Sequence, residues 1–308
     1  MTWAQAGRRL AGAVGVVLGV ALLTFLLVHL IPGDPVELML GESARPADRA
    51  NLRASLGLDR PVAVQLANQF ASLARLDLGT SLHSRRPVSA LIAERLPATL
   101  QLAAAALAIA VVTALPLGML AARRQGRVVD GVAMGFALLG QSVPSFWLGP
   151  LLILGFSVGL GWTPVSGREG PSSLVLPALT LGAGMAAVLA RMVRSSLLEV
   201  LGEDYLRTAR AKGVAERALL WRHALPNAAL PVVTVLGLQA GALLSGAVIT
   251  ETVFAWPGIG SLLVDAIQRR DYPVVQGCVL LISTGYVVVN TLTDLAYAWL
   301  DPRAGADA

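Results

Sequence analysis

Uncharged apolar runs of roughly bilayer-crossing length recur along this chain, and no other feature limits its fold as severely. A transmembrane helix needs about 20 mostly apolar residues. The first such run, residues 10–31, holds His29 as its only titratable group and follows Arg8 and Arg9. It is longer than a usual signal-peptide core and no small-residue cleavage site follows it, so it reads as a retained helix. Further runs cover 96–122, 131–167, 170–190, 224–250 and 272–300. The third contains Pro144, Pro150 and Gly161 and is too short for two spans and a turn. It reads as one long kinked helix with an irregular entry or exit. Six spans follow, and the chain reads as an all-α integral membrane protein forming a single domain over 1–308. With 55% hydrophobic and 14% charged residues, against about 25% charged in soluble domains, it would expose large apolar patches in water.

The stretch 32–95 is polar, of mixed charge and too long for a turn; with a helix-like patch at 61–76, it reads as a small helical insertion. Arginine and lysine in the short loops set orientation. They lie before the first run, between the second and third (Arg123, Arg124, Arg127), and between the fourth and fifth (Arg191 to Arg222). Those segments are expected in the cytoplasm, with both termini, and the 32–95 insertion outside. Arg269 and Arg270 fall outside and run against the pattern.

The net charge of +5 gathers in these loops, so it reports orientation rather than nucleic-acid binding. Cys278 is a lone cysteine in an apolar run, where a small buried hydrophobe is the expectation. His29, His83 and His223 are too scattered to suggest a metal cluster. The single lysine, Lys212, is followed by Gly213, whereas a P-loop needs serine or threonine there. The chain is therefore expected to bind no cofactor and to catalyse no reaction itself, and any ATP would be hydrolysed, with Mg²⁺, on a partner.

The cytoplasmic segment 201–229 is the most informative. Asp204 and Gly213 are start and stop signals for a helix, and Leu206, Ala209 and Gly213 share one small, apolar face flanked by basic residues. Two readings stand on spacing alone: a basic amphipathic helix on anionic headgroups, or a docking element whose small residues admit a partner closely.

The segment resembles the EAA loop of permease subunits of bacterial ABC importers. Arg207-Thr208-Ala209 occupies the Glu-Ala-Ala positions, Gly213 the glycine, His223 the isoleucine and Leu225-Pro226 the final pair. The run 204–213 is similar to the dipeptide, oligopeptide and nickel branch. So are Ile31-Pro32-Gly33-Asp34-Pro35, Asp77-Leu78-Gly79-Thr80-Ser81, Leu96-Pro97-Ala98-Thr99-Leu100, Glu251 through Gly260, Arg270-Asp271-Tyr272-Pro273 and Leu300-Asp301-Pro302-Arg303. Leu76 replaces a usual glycine.

The resemblance implies the type I importer permease fold and import of peptides or a related small solute into a bacterial cell. It also implies a cytoplasmic-membrane assembly with a second related permease, two ATPases and an extracytoplasmic binding protein. Residues 206–216 would form the coupling helix, with Asp204, Arg207, Thr208, Ala209, Lys212, Gly213, Glu216, Leu225 and Pro226 contacting or shaping the ATPase site. Polar residues within spans are path candidates. These are Gln101, Gln141, Ser142, Ser145, Gln239, Ser245, Asn290 and Asp294. Asp294 reads as a helix–helix bond or snorkel to the cytoplasmic interface, or as a solute contact. Glu251 reads as a gate or binding-protein contact, or as simple interfacial exposure. Ser142-Val143-Pro144-Ser145 is a candidate hinge. A proton- or sodium-coupled transporter would need paired acids near the midplane, and the spans hold almost none.

Overall fold

A computed structural model describes residues 3–30, 36, 45–55 and 57–300. The Ile31–Pro35 and Asp301–Arg303 motifs, and the Ser245 side chain, lie outside the described residues. The helices in chain order are α1 Trp3–Leu30, α2 Pro46–Ser55, α3 Val62–Ala74, α4 Val88–Arg123, α5 Val128–Ser142, α6 Ser145–Leu152, α7 Val175–Leu201, α8 Asp204–Ala211, α9 Leu225–Val253, α10 Ile259–Gln268 and α11 Tyr272–Leu300. Among the described residues the one extended pairing is an isolated bridge between Thr80 and Pro87.

Four helical stretches are long and apolar enough to cross a bilayer: Val88–Arg123, Pro171–Leu201, Glu216–Leu244 and Tyr272–Ala296. A bent pair, Val128–Ser142 with Ser145–Gly159, adds a fifth. α1 offers a shorter apolar stretch among the described residues, Ala11–Leu26. Five of the six expected spans thus find helices of crossing length, with three boundaries corrected.

The first correction is at the third run, which is broken rather than kinked. α5 and the helical stretch from Ser145 diverge by 100°. Val143 stands before Pro144 and is extended, at φ −89° and ψ 115°, because the proline ring clashes with a helical predecessor. The second is at α4, which begins at Val88 inside the stretch expected to be insertion. Val88 and Ile92, four residues apart, are both buried and face the same cluster, so packing extends the helix past its apolar run. Its 36 residues make about 54 Å at 1.5 Å per residue, longer than a hydrocarbon core of about 30 Å. The third is at α7, which continues to Leu201, eleven residues beyond its apolar run, because Val193 and Leu197 are fully buried there. α2 and α10 were not foreseen, whereas α3 answers the 61–76 patch.

The chain forms two compact units. One comprises Ala98–Pro257 with the end of α11 from Gly285; the other is the chain before Ala98 with Gly258–Thr284. α4 and α11 each contribute to both. The second unit gathers Val88, Ile92, Ile259, Ala266, Val274 and Cys278 into one apolar cluster. Cys278 is buried there. Asp271 is also buried, and its carboxylate accepts from the Ser81 hydroxyl and from the amides of Leu82 (3.1 Å) and His83 (3.3 Å).

The first unit holds two clusters. One centres on Leu102, Ala106 and Ala110 of α4 with Ala178, Leu181 and Trp256. The other joins Val193 and Leu197 of α7 with Leu206, Leu219 and Ala224, so α8 is anchored to the membrane helices by Leu206. Close approach of α4 and α7 requires glycine at 118. A Cβ there would stand 2.7 Å from the Ala190 carbonyl oxygen and from Val193.

Candidate docking loop and polar cavity

The loop after α7 is held in one shape by its own bonds. α8 ends in a reciprocal pair of capping bonds: the Gly213 amide donates to Arg210 O (2.9 Å) and the Val214 amide to Ala209 O (3.2 Å). This is the Schellman arrangement, which needs a left-handed residue just past the helix. Gly213 supplies it at φ +79°, with nothing within 4 Å of where a Cβ would point. Arg210 then reaches forward to Glu216 at 2.9 Å, closing the turn from the side.

The helix is also fastened to the start of α9. Tyr205 Oη donates to the His223 carbonyl (3.3 Å) and accepts from Asn227 Nδ2 (3.0 Å); Asn227 Nδ2 also donates to His223 O (2.7 Å). Leu225 and Pro226 sit in this first turn of α9, Leu225 half-buried and Pro226 exposed.

The structure reverses one expectation. The small, apolar face does not await a partner: Leu206 is fully buried and Ala209 packs against the same internal cluster. The outward face is Asp204, Arg207, Thr208, Ala211 and Lys212, all exposed. Asp204 and Arg207 pair at 3.3 Å with side chains 93% and 78% exposed, so the pair contributes little and both groups are open to a partner. The helix is also shorter than 206–216, because Gly213 stops it; Glu216 belongs to the next turn.

Behind the loop, Asp130 of α5 and Arg194 of α7 form a two-pronged ion pair, Nε to Oδ1 at 2.6 Å and Nη2 to Oδ2 at 2.7 Å. The Gly126 amide adds a third donor to Oδ2 at 3.0 Å. The turn between α4 and α5 is thus locked to α7. Sequence reasoning missed this pair, and also Asn227 and the role of Tyr205. The available signal was an acid, Asp130, in an otherwise arginine-rich loop.

The path candidates separate. Gln141 and Ser145 share a cavity of about 280 Å³ with Thr180 and Gln239, and Gln239 Nε2 is buried without a hydrogen-bond partner among the described residues. Ser142 is exposed and bonds to Leu138 O of its own helix (2.9 Å). Asn290 is half-buried beside Gly241, and Asp294 is exposed on α11. Gln101 accepts two bonds from Arg168, at 3.0 and 2.8 Å.

Glu251 is corrected outright. It is fully buried and accepts from Thr99 Oγ1 at 2.6 Å, so it is not exposed at an interface. Its motif folds as an internal bracket. Trp256 is equally buried and donates its indole N–H to the Ala98 carbonyl at 2.9 Å. Among the described residues no group of three or more His, Cys, Asp or Glu is placed to hold a metal.

A helical membrane body with an outward-facing helix between two of its spans agrees with the importer-permease resemblance of the sequence. The family described as "Binding-protein-dependent transport system inner membrane component" matches residues 114–305, and its N-terminal companion matches 6–103. The chain is 46% identical to the dipeptide transport system permease protein DppB of Escherichia coli K12, covering 96% of this chain and 97% of that protein. It is 47% identical to the glutathione transport system permease protein GsiC of Salmonella choleraesuis, covering 96% of each. It is 46% identical to the di/tripeptide transport system permease protein DppB of Pseudomonas aeruginosa, covering 96% and 97%. Among solved structures, the inward-facing MetNI methionine ABC transporter superposes with a TM-score of 0.58 at 21% identity, covering 68% of this chain and 96% of that one. This likeness shows the fold, that of type I importer permeases. The chain belongs to the binding-protein-dependent transport system inner membrane component family. It is a multi-pass ABC-importer permease subunit of the bacterial inner membrane.

Proposed function

We propose that this chain carries di- or oligopeptides, or a closely related small solute, across the inner membrane as one half of a permease pair. Its relatives named for dipeptides, di/tripeptides and glutathione support the substrate class. A second, related permease completes the pathway, two ATPases supply ATP hydrolysis with Mg²⁺, and an extracytoplasmic binding protein delivers the solute. Both termini lie in the cytoplasm.

The observation that carries the reading is the construction of α8. Leu206, the Gly213 cap and the Tyr205–Asn227 bonds fix the helix to the membrane body. Its exposed Arg207, Thr208, Ala211 and Lys212 face outward. Movement imposed on that face by an ATPase passes into α7 and α9 rather than into a slack loop. ATP binding biases one end of a two-state body, and the loaded binding protein biases the other.

Purification from solubilised membranes tests the reading. A second permease and two P-loop ATPases should co-purify, and ATP hydrolysis should rise when a peptide-loaded binding protein is added. Recovery of the chain alone, under conditions that preserve known assemblies, would refute it.

A further inference from the structure

An enclosed amide donor with nothing to bond marks a site at the α5–α6 break, apart from the docking loop. Gln239 Nε2 is buried and has no hydrogen-bond partner among the described residues. Gln239 lines a cavity together with Gln141, Ser145 and Thr180. The site lies wholly within one compact unit. Its polar groups come from four helices: Gln141 is in the last turn of α5, Ser145 begins α6, Thr180 is on α7 and Gln239 on α9. Thr180 is almost fully buried and donates to Leu176 O of its own helix at 2.8 Å, so its oxygen can still accept. Pro144 has no N–H, so the carbonyl of Gly140, also in the lining, lacks its helical donor.

The chemistry of the lining selects the ligand. The cavity of about 280 Å³ has room for roughly nine waters at ~30 Å³ each, or for a peptide group with the carbons on either side of it. Its described lining carries no ionisable residue, so nothing there offsets the desolvation of an ion. What it offers instead is amides. A glutamine side chain presents an acceptor oxygen and two N–H donors, the complement of the N–H and C=O of a peptide group. Side chains and net charge differ from one peptide to the next, whereas the main-chain amide is common to all of them. A buried donor without a partner is costly, and a ligand carbonyl removes that cost. We infer that the cavity bounded by Gln141, Ser145 and Gln239 binds a main-chain amide of the transported peptide, with Gln239 Nε2 donating to its carbonyl. The inference rests on the reading of this chain as a peptide permease and involves neither α8 nor an ATPase contact.

The test is transport by proteoliposomes holding the complete importer. Short alanine peptides, or the same peptides with an ester in place of one amide, are delivered by saturating binding protein. The binding protein is the same for every permease variant, so a change in the amide-over-ester preference between variants belongs to the cavity. Gln239→Met should lower that preference roughly fivefold, the worth of one hydrogen bond. Its unfolding midpoint in detergent should hold or rise, because an unpaired buried donor is gone. Gln141→Met, exposed at the mouth of the cavity, should lower the preference too and serves if the first variant folds poorly. An unchanged preference in both variants would assign the cavity to water and overturn the proposal. Slower transport of both solutes at an unchanged preference would make Gln239 a part of the moving body, with the same consequence. Failure of the parent importer to carry any of the peptides would instead overturn the proposed function, and this site with it.

Discussion

Asp130 and Arg194 lie 64 positions apart and close on each other through two bonds, at 2.6 and 2.7 Å. The Asp130 side chain is 7% exposed and that of Arg194 26%. A pair this enclosed is costly to break from one side, because the survivor keeps its charge without a partner. Asp130→Ala should therefore lower the unfolding midpoint of the detergent-solubilised chain. Adding Arg194→Met should recover much of that loss. Unfolding midpoints of the two single variants and the double variant measure it, and strictly additive losses would show that the two residues do not act together.

Gly213 separates backbone strain from crowding. Its φ is +79° and the space beside it is empty, so Gly213→Ala should cost only about 1 kcal/mol, the left-handed penalty. Gly213→Arg should insert into the membrane normally yet lose coupled ATP hydrolysis. Failure of Gly213→Arg to insert would instead mark the glycine as a folding residue.

Tyr205 and Asn227 hold α8 to α9 through the Tyr205 hydroxyl. Tyr205→Phe removes that hydroxyl and should cost about 1 kcal/mol or less, because the bonds are solvent-exposed. Hydrogen exchange of the α8 amides should speed up while that of α7 stays unchanged. Equal rates in the variant and the parent would mean that Leu206 alone anchors the helix.

Asp271 accepts three bonds from residues 81–83. Asp271→Ala leaves those donors without their acceptor and should expose the loop to proteolysis between residues 81 and 86. Asp271→Asn keeps an acceptor oxygen and should be cut more slowly. Identical digestion of both variants and the parent would show that the carboxylate does not order the loop.

The spans were legible because the bilayer demands long apolar runs, and arginine-rich loops mark where they end. Gly213 was legible as a stop signal because few other residues accept its backbone angle. Ends set by packing were not legible. Nothing in the composition of 88–95 announces that Val88 and Ile92 seat a helix there, and Arg194 looks like loop charge until Asp130 is placed opposite it. The orientation of α8 was lost for the same reason: spacing identifies which residues share a face, but not which face turns inward. The quoted motifs 77–81 and 270–273 gave no hint that Ser81 and Asp271 meet, since a hydrogen bond across 190 positions leaves no periodicity behind.

The bracket around Glu251 bears on how such chains change their diet. Its carboxylate and the indole of Trp256 have their polar atoms engaged inside the helix packing. A descendant could acquire a new nutrient without touching either residue. Damage there would remove the transporter from the cell rather than alter its taste.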